Sequence, residues 1–332
     1  MRRPLLLPLT PLFHAVVAAR NAAYSQGWRR PRTLAWPVVS IGSITAGGAG
    51  KTPLVIRLAE LLQSEGVRID VLSRGYGRSS KATERVAPDG AAERFGDEPL
   101  LIARNAGVPV FVGSSRFAAG LLAEQSLSGQ FPSGPGIHLL DDGFQHRQLS
   151  RAVDIVLVGA ADLEDTLLPA GNLREPLRAL RRANFLVVRT EERELVQQLR
   201  ARGLVQPVWL VHRSLTVPTV GKRSVAFCGI ARPGDFFSEV SRQVESVGRE
   251  VVSWQSFPDH HRYTPADMEK LARLASSNRA DSFLTTEKDA VKLDAGMRDI
   301  LERAAPLGIV RLEVTLEDEK AAIQSLIRQA RE

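Results

Sequence analysis

Between Pro37 and Ser64 the chain passes from a β-rich run through a glycine-rich loop, Gly42-Ser43-Ile44-Thr45-Ala46-Gly47-Gly48-Ala49-Gly50-Lys51-Thr52-Pro53, into a helical pattern. A loop of this kind works only where a strand delivers it and a helix N-terminus receives it, which ties the chain to an α/β architecture. Its glycines let backbone N–H groups turn inward on phosphate oxygens, and the helix N-terminus adds the positive end of its dipole. Thr45, Gly47, Gly48, Ala49 and Gly50 would form the cradle. Lys51 would reach the β- and γ-phosphates, and the Thr52 hydroxyl would ligate Mg²⁺. Thr45 stands where the usual pattern begins with glycine, so the strict spacing is not matched. The plain alternative is a glycine-rich turn without a ligand.

Apolar runs at Pro37–Ile44, Val67–Ser73, Val108–Val112, Ile137–Leu140, Val153–Val158, Phe185–Val188 and Val208–Val211 read as strands. Helical patterns at Pro53–Ser64, Glu98–Asn105 and Arg116–Glu124 separate several of them, with Gly66 and Gly107 as C-terminal stops. The expected fold is a P-loop NTPase-like, mostly parallel sheet covered by helices on both faces. Arg213–Arg223, with Pro218 and Gly221, interrupts the rhythm and is the candidate linker. Further strands at Val225–Ile230, Val251–Gln255, Phe283–Thr285 and Ile309–Val314, with helices at Pro265–Ala275 and Asp318–Arg331, predict a second, smaller α/β domain. The expected division is an N-terminal segment 1–30, a P-loop core 31–215 and a C-terminal domain 216–332.

The net charge of +7 invites a nucleic-acid reading, but its placement argues against one. Residues 1–59 hold eight Lys or Arg and no acid, leaving 36 basic against 37 acidic groups in the rest. Pro4–Ala19 is strongly apolar and bracketed by Arg2, Arg3 and Arg20, with Trp28, Arg29, Arg30 and Arg32 following. Its 16 residues fall short of the ~20 that span hydrocarbon, and Pro4, Pro8 and Pro11 argue against a continuous helix. A helix lying at an anionic membrane surface is the expectation, with a cleaved signal peptide and an ordinary core helix as alternatives. The single cysteine, Cys228, excludes an intrachain disulfide and reads as a buried thiol in a reducing compartment. No obligate protein partner is expected.

Ile137–Leu140 leads into Asp141 and Asp142, and carboxylates at a strand end beside such a loop can hold Mg²⁺ directly or through water. Gly96-Asp97-Glu98-Pro99 places two acids at a helix start, as N-caps or as catalytic groups. Arg74 in Ser73–Gly77 and Arg174 in Asn172–Glu175 could clamp phosphates or form surface ion pairs. Pro258-Asp259-His260-His261-Arg262-Tyr263 has no third ligand at metal spacing, so its histidines read as proton-transfer groups or core hydrogen bonds.

Taken in order, these segments resemble the tetraacyldisaccharide 4'-kinase family, the lipid A 4'-kinases of Gram-negative bacteria, over nearly the whole chain. The motifs are the Gly42–Pro53 loop with its Thr45, SRGYGR from Ser73, GDEP from Gly96, LDDGFQH from Leu140, LPAGNLREP from Leu168, FPDHHRYT from Phe257 and TTEKDAVKL from Thr285. The resemblance implies transfer of the ATP γ-phosphate to the 4'-hydroxyl of a lipid disaccharide 1-phosphate on the cytosolic face of the inner membrane. It implies that Lys51 and Thr52 bind phosphate and Mg²⁺, and that Asp141 and Asp142 are the Walker B pair. Asp97 would accept the hydroxyl proton with His260, rather than His261, supporting it. Glu98 would assist Mg²⁺ or its water shell, and Arg174 with Glu175 would contact nucleotide or the transferring phosphate. Two other readings compete: a P-loop switch ATPase or GTPase without a lipid acceptor, and a non-catalytic nucleotide-sensing scaffold.

Overall fold

A computed structural model describes residues 3–48, 50–127 and 136–332. The strands run β1 (Val38–Ser43), β2 (Ile69–Ser73), β3 (Glu84–Arg85), β4 (Val110–Val112), β5 (Ile137–Asp141) and β6 (Val153–Leu157). They continue with β7 (Phe185–Arg189), β8 (Val208–Thr216), β9 (Arg223–Cys228), β10 (Glu250–Ser256), β11 (Ser282–Thr286) and β12 (Leu307–Leu316). The described residues join them in one twelve-stranded sheet ordered β10-β9-β11-β12-β8-β7-β6-β1-β5-β2-β4-β3. All neighbours are parallel except β12 with β8 and β3 with β4.

β1, β2, β5 and β6 are buried along their whole length, because helices cover both faces and alternation has no solvent side to follow. Val39, Ile41, Val71 and Leu139 face the helix Lys51–Ser64, which buries Leu54, Val55, Leu58, Ala59 and Leu62 on one stripe. Their neighbours Val38, Leu72 and Leu140 face the helix Arg116–Leu127 instead. β9 and β11 repeat the arrangement on a smaller scale. Val225, Phe227 and Phe283 pack under the helices Pro265–Ser277 and Ala295–Ala304, while Ala226, Cys228 and Leu284 face Pro233–Ser246. Cys228 is fully buried.

One expectation needs correction, and two features refine the rest. Arg213–Thr216 is strand, not linker: these residues extend β8 and pair antiparallel with β12. The smaller layer also shares its sheet with the larger one. Leu307–Val310 of β12 pairs with β11 while Arg311–Leu316 pairs with β8, so one strand carries the hydrogen-bond ladder across. Nor does the chain end in the smaller layer, for Ile323 and Leu326 of the helix Glu319–Arg331 lie in the first core, and Arg57 grips Glu319 with two bonds of 2.9 and 2.7 Å.

The N-terminal prolines do not break the helix. A 3-10 helix, Pro4–Leu9, runs directly into the α-helix Thr10–Ser25, giving a helical stretch Leu5–Ser25 of 21 residues that is long and apolar enough to cross a membrane by length and composition. Pro8 sits in the 3-10 turn and Pro11 in the first α-turn, where an N–H would lack an intrahelical acceptor. One flank docks on the protein: Val17 is buried, Asn21 Nδ2 donates to Glu175 Oε2 (2.7 Å), and Arg147 Nη1 donates to the Asn21 carbonyl (2.9 Å). The other flank exposes Leu5, Leu9, Leu12 and Val16.

At the opposite end of the central strands from the loop, His138 is fully buried between Asp70 and Glu124, with Nδ1 2.8 Å from Asp70 Oδ2 and Nε2 3.3 Å from Glu124 Oε1. Burial pulls both His138 and Asp70 toward neutrality, but a carboxylate on each ring nitrogen wins for the imidazolium, raising His138 from 6.5 to about 9. A raised histidine stabilises the fold fully below its ordinary value, and the contribution disappears as pH climbs through the folded one. Chemical denaturation of wild type and His138→Asn should therefore show a stability gap, on the order of 3 kcal/mol near neutrality, that narrows as pH rises through about 9. A pH-independent gap would mean that the ring is held there neutral.

Candidate active site

β1 delivers the glycine-rich loop, and the helix starting at Lys51 receives it. Gly47, Gly48 and Gly50 have φ of +78°, +63° and +81°, so the loop takes the left-handed turns that only glycine adopts without strain. Ala49 lies outside the described residues. Thr45, in place of glycine, uses its side chain: Oγ1 donates to Asp162 Oδ1 at 2.5 Å, and its backbone bridges to Leu173. The Asn172–Arg174 segment thus braces the loop, with Ala46 N donating to Asn172 O and Arg174 N to Ile44 O.

β5 pairs with β1 and brings Asp141 and Asp142 beside the loop. Arg174 holds Asp142 with two bonds of 2.8 and 2.7 Å, and Lys51 Nζ lies 3.4 Å away. Burial opposes the Asp142 charge, but these cations hold its carboxyl down to about 2. Asp141 is different. Burial, and then the charges of Glu98 and Asp142, push it up to about 7, and its Oδ1 is buried without a hydrogen-bond partner.

Across the cleft, the close approach of Gly96 (φ +93°) to Gly75 sets the start of the helix Asp97–Asn105 against the Ser73–Gly77 loop. His260, itself at φ +58°, reaches over from the smaller layer and puts Nδ1 3.1 Å from Asp97 Oδ2. His261 turns the other way, with Nε2 3.1 Å from Asp267 Oδ2, so it belongs to the cap of the helix Pro265–Ser277. Arg262 adds a second tie across the cleft by donating to the Gly77 carbonyl.

Lys51, Asp142 and Arg174 thus cluster beside Asp141, His260 meets Asp97, and Glu98, next to Asp97, stands close enough to raise Asp141. Glu175 does not join them. It is fully buried and bonded to Arg182 (2.9 and 3.1 Å) and Asn21, where it ties the N-terminal helix to the core. The expected nucleotide contact gives way to a structural one, because the Glu175 carboxylate is enclosed by Arg182 and Asn21.

Sequence reasoning passed over several cations. Arg116 is buried with its Nε unpartnered, and burial followed by the nearby Arg74 lowers it to about 10. Burial, and then Arg116, Arg151 and Arg74, push His146 down to about 4. A cavity of about 450 Å³ opens beside His146, lined by Tyr24, Phe117, Arg29, Arg30 and Arg32. Arg213 packs 3.3 Å from where a Gly50 Cβ would stand, and Arg232 lies near Gly48. Asp289 accepts from Gly229 N and Thr286 Oγ1 and pairs with Lys292, fixing the base of the histidine loop.

A parallel sheet with this loop at the end of β1 and paired aspartates at the end of β5 defines a P-loop phosphotransferase. A family model described as Tetraacyldisaccharide-1-P 4'-kinase matches residues 2–331. The chain belongs to this family of lipid A kinases. It is 43% identical to the tetraacyldisaccharide 4'-kinase of Koribacter versatilis, with 97% of each chain covered, and 38% identical to that of Syntrophus aciditrophicus, with 96% of this chain and 90% of that one covered. Among solved structures it is similar to LpxK from Aquifex aeolicus, crystallised in complex with ATP, at a TM-score of 0.75 and 32% identity over 98% of this chain and 99% of that one.

Proposed function

We infer that the chain moves the γ-phosphoryl group of ATP to the 4'-hydroxyl of tetraacyldisaccharide 1-phosphate, giving the 1,4'-bisphosphate and ADP. One observation carries the mechanism: His260 braces the Asp97 carboxylate at 3.1 Å, and the adjacent Glu98 is close enough to raise Asp141 beside the loop. The 4'-oxygen forms its bond to the γ-phosphorus, the bond from that phosphorus to the β–γ bridging oxygen breaks, and the hydroxyl proton passes to Asp97. A loose transition state asks chiefly for positioning and charge, which suits an ordinary carboxylate as proton acceptor. Gly47, Gly48 and Gly50 present N–H groups to the phosphates, and Lys51 neutralises charge on the β- and γ-oxygens. Arg174, whose Nη2 lies 3.4 Å from Ser43 Oγ in the loop, would hold the transferring group.

The orphaned buried oxygen of Asp141 and its acidic neighbours suit a divalent cation. Asp141, Asp142 and Thr52, with Glu98 through water, would hold Mg²⁺. Bound there, Mg²⁺ offsets negative charge on the phosphates. The buried Arg116, whose Nε has no partner, and the basic cavity beside it supply charge complementary to an anionic sugar phosphate. ATP consumption should depend on added acceptor; equal hydrolysis without it would make the protein a switch-type NTPase instead.

The exposed Leu5, Leu9, Leu12 and Val16, followed by Arg29, Arg30 and Arg32, fit a helix seated in the cytosolic surface of the inner membrane. Replacing those four apolar residues with serine spares the docked flank and should weaken flotation with anionic vesicles severalfold. High salt should weaken the intact protein further, because each basic residue contributes about 1 kcal/mol at such a surface. Equal flotation of both proteins would place the membrane contact elsewhere.

A further inference from the structure

Lys288 lies outside the phosphate loop and the aspartate pair, yet its ammonium ends at the back of the histidine that braces Asp97. It sits in the one-turn helix Glu287–Ala290, whose start is fixed from two sides: Asn105 Nδ2 donates to Glu287 Oε1 (2.7 Å), and Leu312 N donates to Glu287 Oε2 (3.3 Å). From that platform Lys288 Nζ stands 3.3 Å from His260 Nε2, 3.6 Å from Glu98 Oε1 and 3.6 Å from Asp259 Oδ1. The Tyr76 ring, tilted 5.6 Å from the imidazole, limits the ring's freedom on a further side.

We propose that Lys288 is a positioning residue that fixes the tautomer of His260, so that the imidazole always offers Nδ1–H to Asp97. An ammonium has three donors and no acceptor, so the nitrogen facing it must carry the lone pair. A proton on His260 Nε2 would meet the ammonium head-on at 3.3 Å. The ring proton therefore resides on Nδ1 and is donated to Asp97 Oδ2, 3.1 Å away. That leaves the other carboxylate oxygen for the acceptor hydroxyl. Glu98 and Asp259 balance the ammonium and keep it in place. His261 is committed to Asp267, and Arg262 to the Gly77 carbonyl, so neither competes for the ring.

The inference rests on Asp97 as the proton acceptor, and the test keeps the two apart. Long-range ¹H–¹⁵N correlation on the full-length protein labelled at histidine nitrogens reads the His260 tautomer in the resting state, with His260→Gln giving the assignment. Wild type should show protonated Nδ1 and bare Nε2. Lys288→Met should populate the Nε2–H form and lower kcat roughly tenfold to a hundredfold, with both KM values within about twofold, and Lys288→Arg should restore most of each. A wild-type ring protonated on Nε2 would overturn the proposal, as would a tautomer unchanged in a folded Lys288→Met protein. Full turnover by Asp97→Asn would remove Asp97 as the base while leaving the measured tautomer, and so the role of Lys288 in setting it, intact.

Discussion

Lys51→Ala is expected to lower kcat/KM by about a hundredfold to a thousandfold, the usual loss when one fixed charge aimed at the transition state is removed. The structure separates this effect from a folding defect. Lys51 is only one of two cations on Asp142, and Arg174 alone keeps that carboxylate held by two bonds. The variant should therefore melt near the wild-type temperature while steady-state phosphotransfer collapses. Turnover near the wild-type rate would show that the glycine-rich loop is a structural turn and that phosphates bind elsewhere.

Asp97→Asn should lower kcat by about a hundredfold or more, the low end of what a positioned general base contributes, with the KM for ATP little changed. Asparagine preserves size and still meets His260, but its amide cannot take the hydroxyl proton. The split between kcat and KM is what matters. A variant that turns over normally at saturating ATP but needs far more nucleotide would make Asp97 a phosphate or cation residue, and the proton acceptor would have to be sought among its neighbours.

How far the sequence anticipates these features depends on how local each one is. The glycine-rich loop, the aspartates ending β5 and the acids starting the helix at Asp97 are legible because backbone geometry alone places them. The choice of His260 over His261 followed from family likeness, and the structure supplies its physical reason: positive φ turns His260 toward the cleft while Asp267 captures His261. Other features depend on distant partners. Glu175 sits next to Arg174 in sequence, but its partner Asn21 lies 154 residues away. The continuity of the sheet depends on the pairing of β8 with β12, which no local pattern encodes. Arg116 opens a helical pattern in the sequence, and only the folded chain shows that its Nε is buried without a partner. Lys288 was visible within TTEKDAVKL, yet its contact with His260 exists only once the smaller layer closes against Asp97.

The central claim concerns where the phosphate goes. Full-length protein incubated with Mg²⁺, ATP labelled in the γ-phosphate and detergent-dispersed tetraacyldisaccharide 1-phosphate should yield a lipid carrying a second phosphate. Phosphorus–proton correlation on the purified lipid should place it on the 4'-oxygen, with one ADP formed per lipid. Label released as inorganic phosphate whether or not the lipid is present, with the disaccharide recovered as its monophosphate, would contradict the assignment.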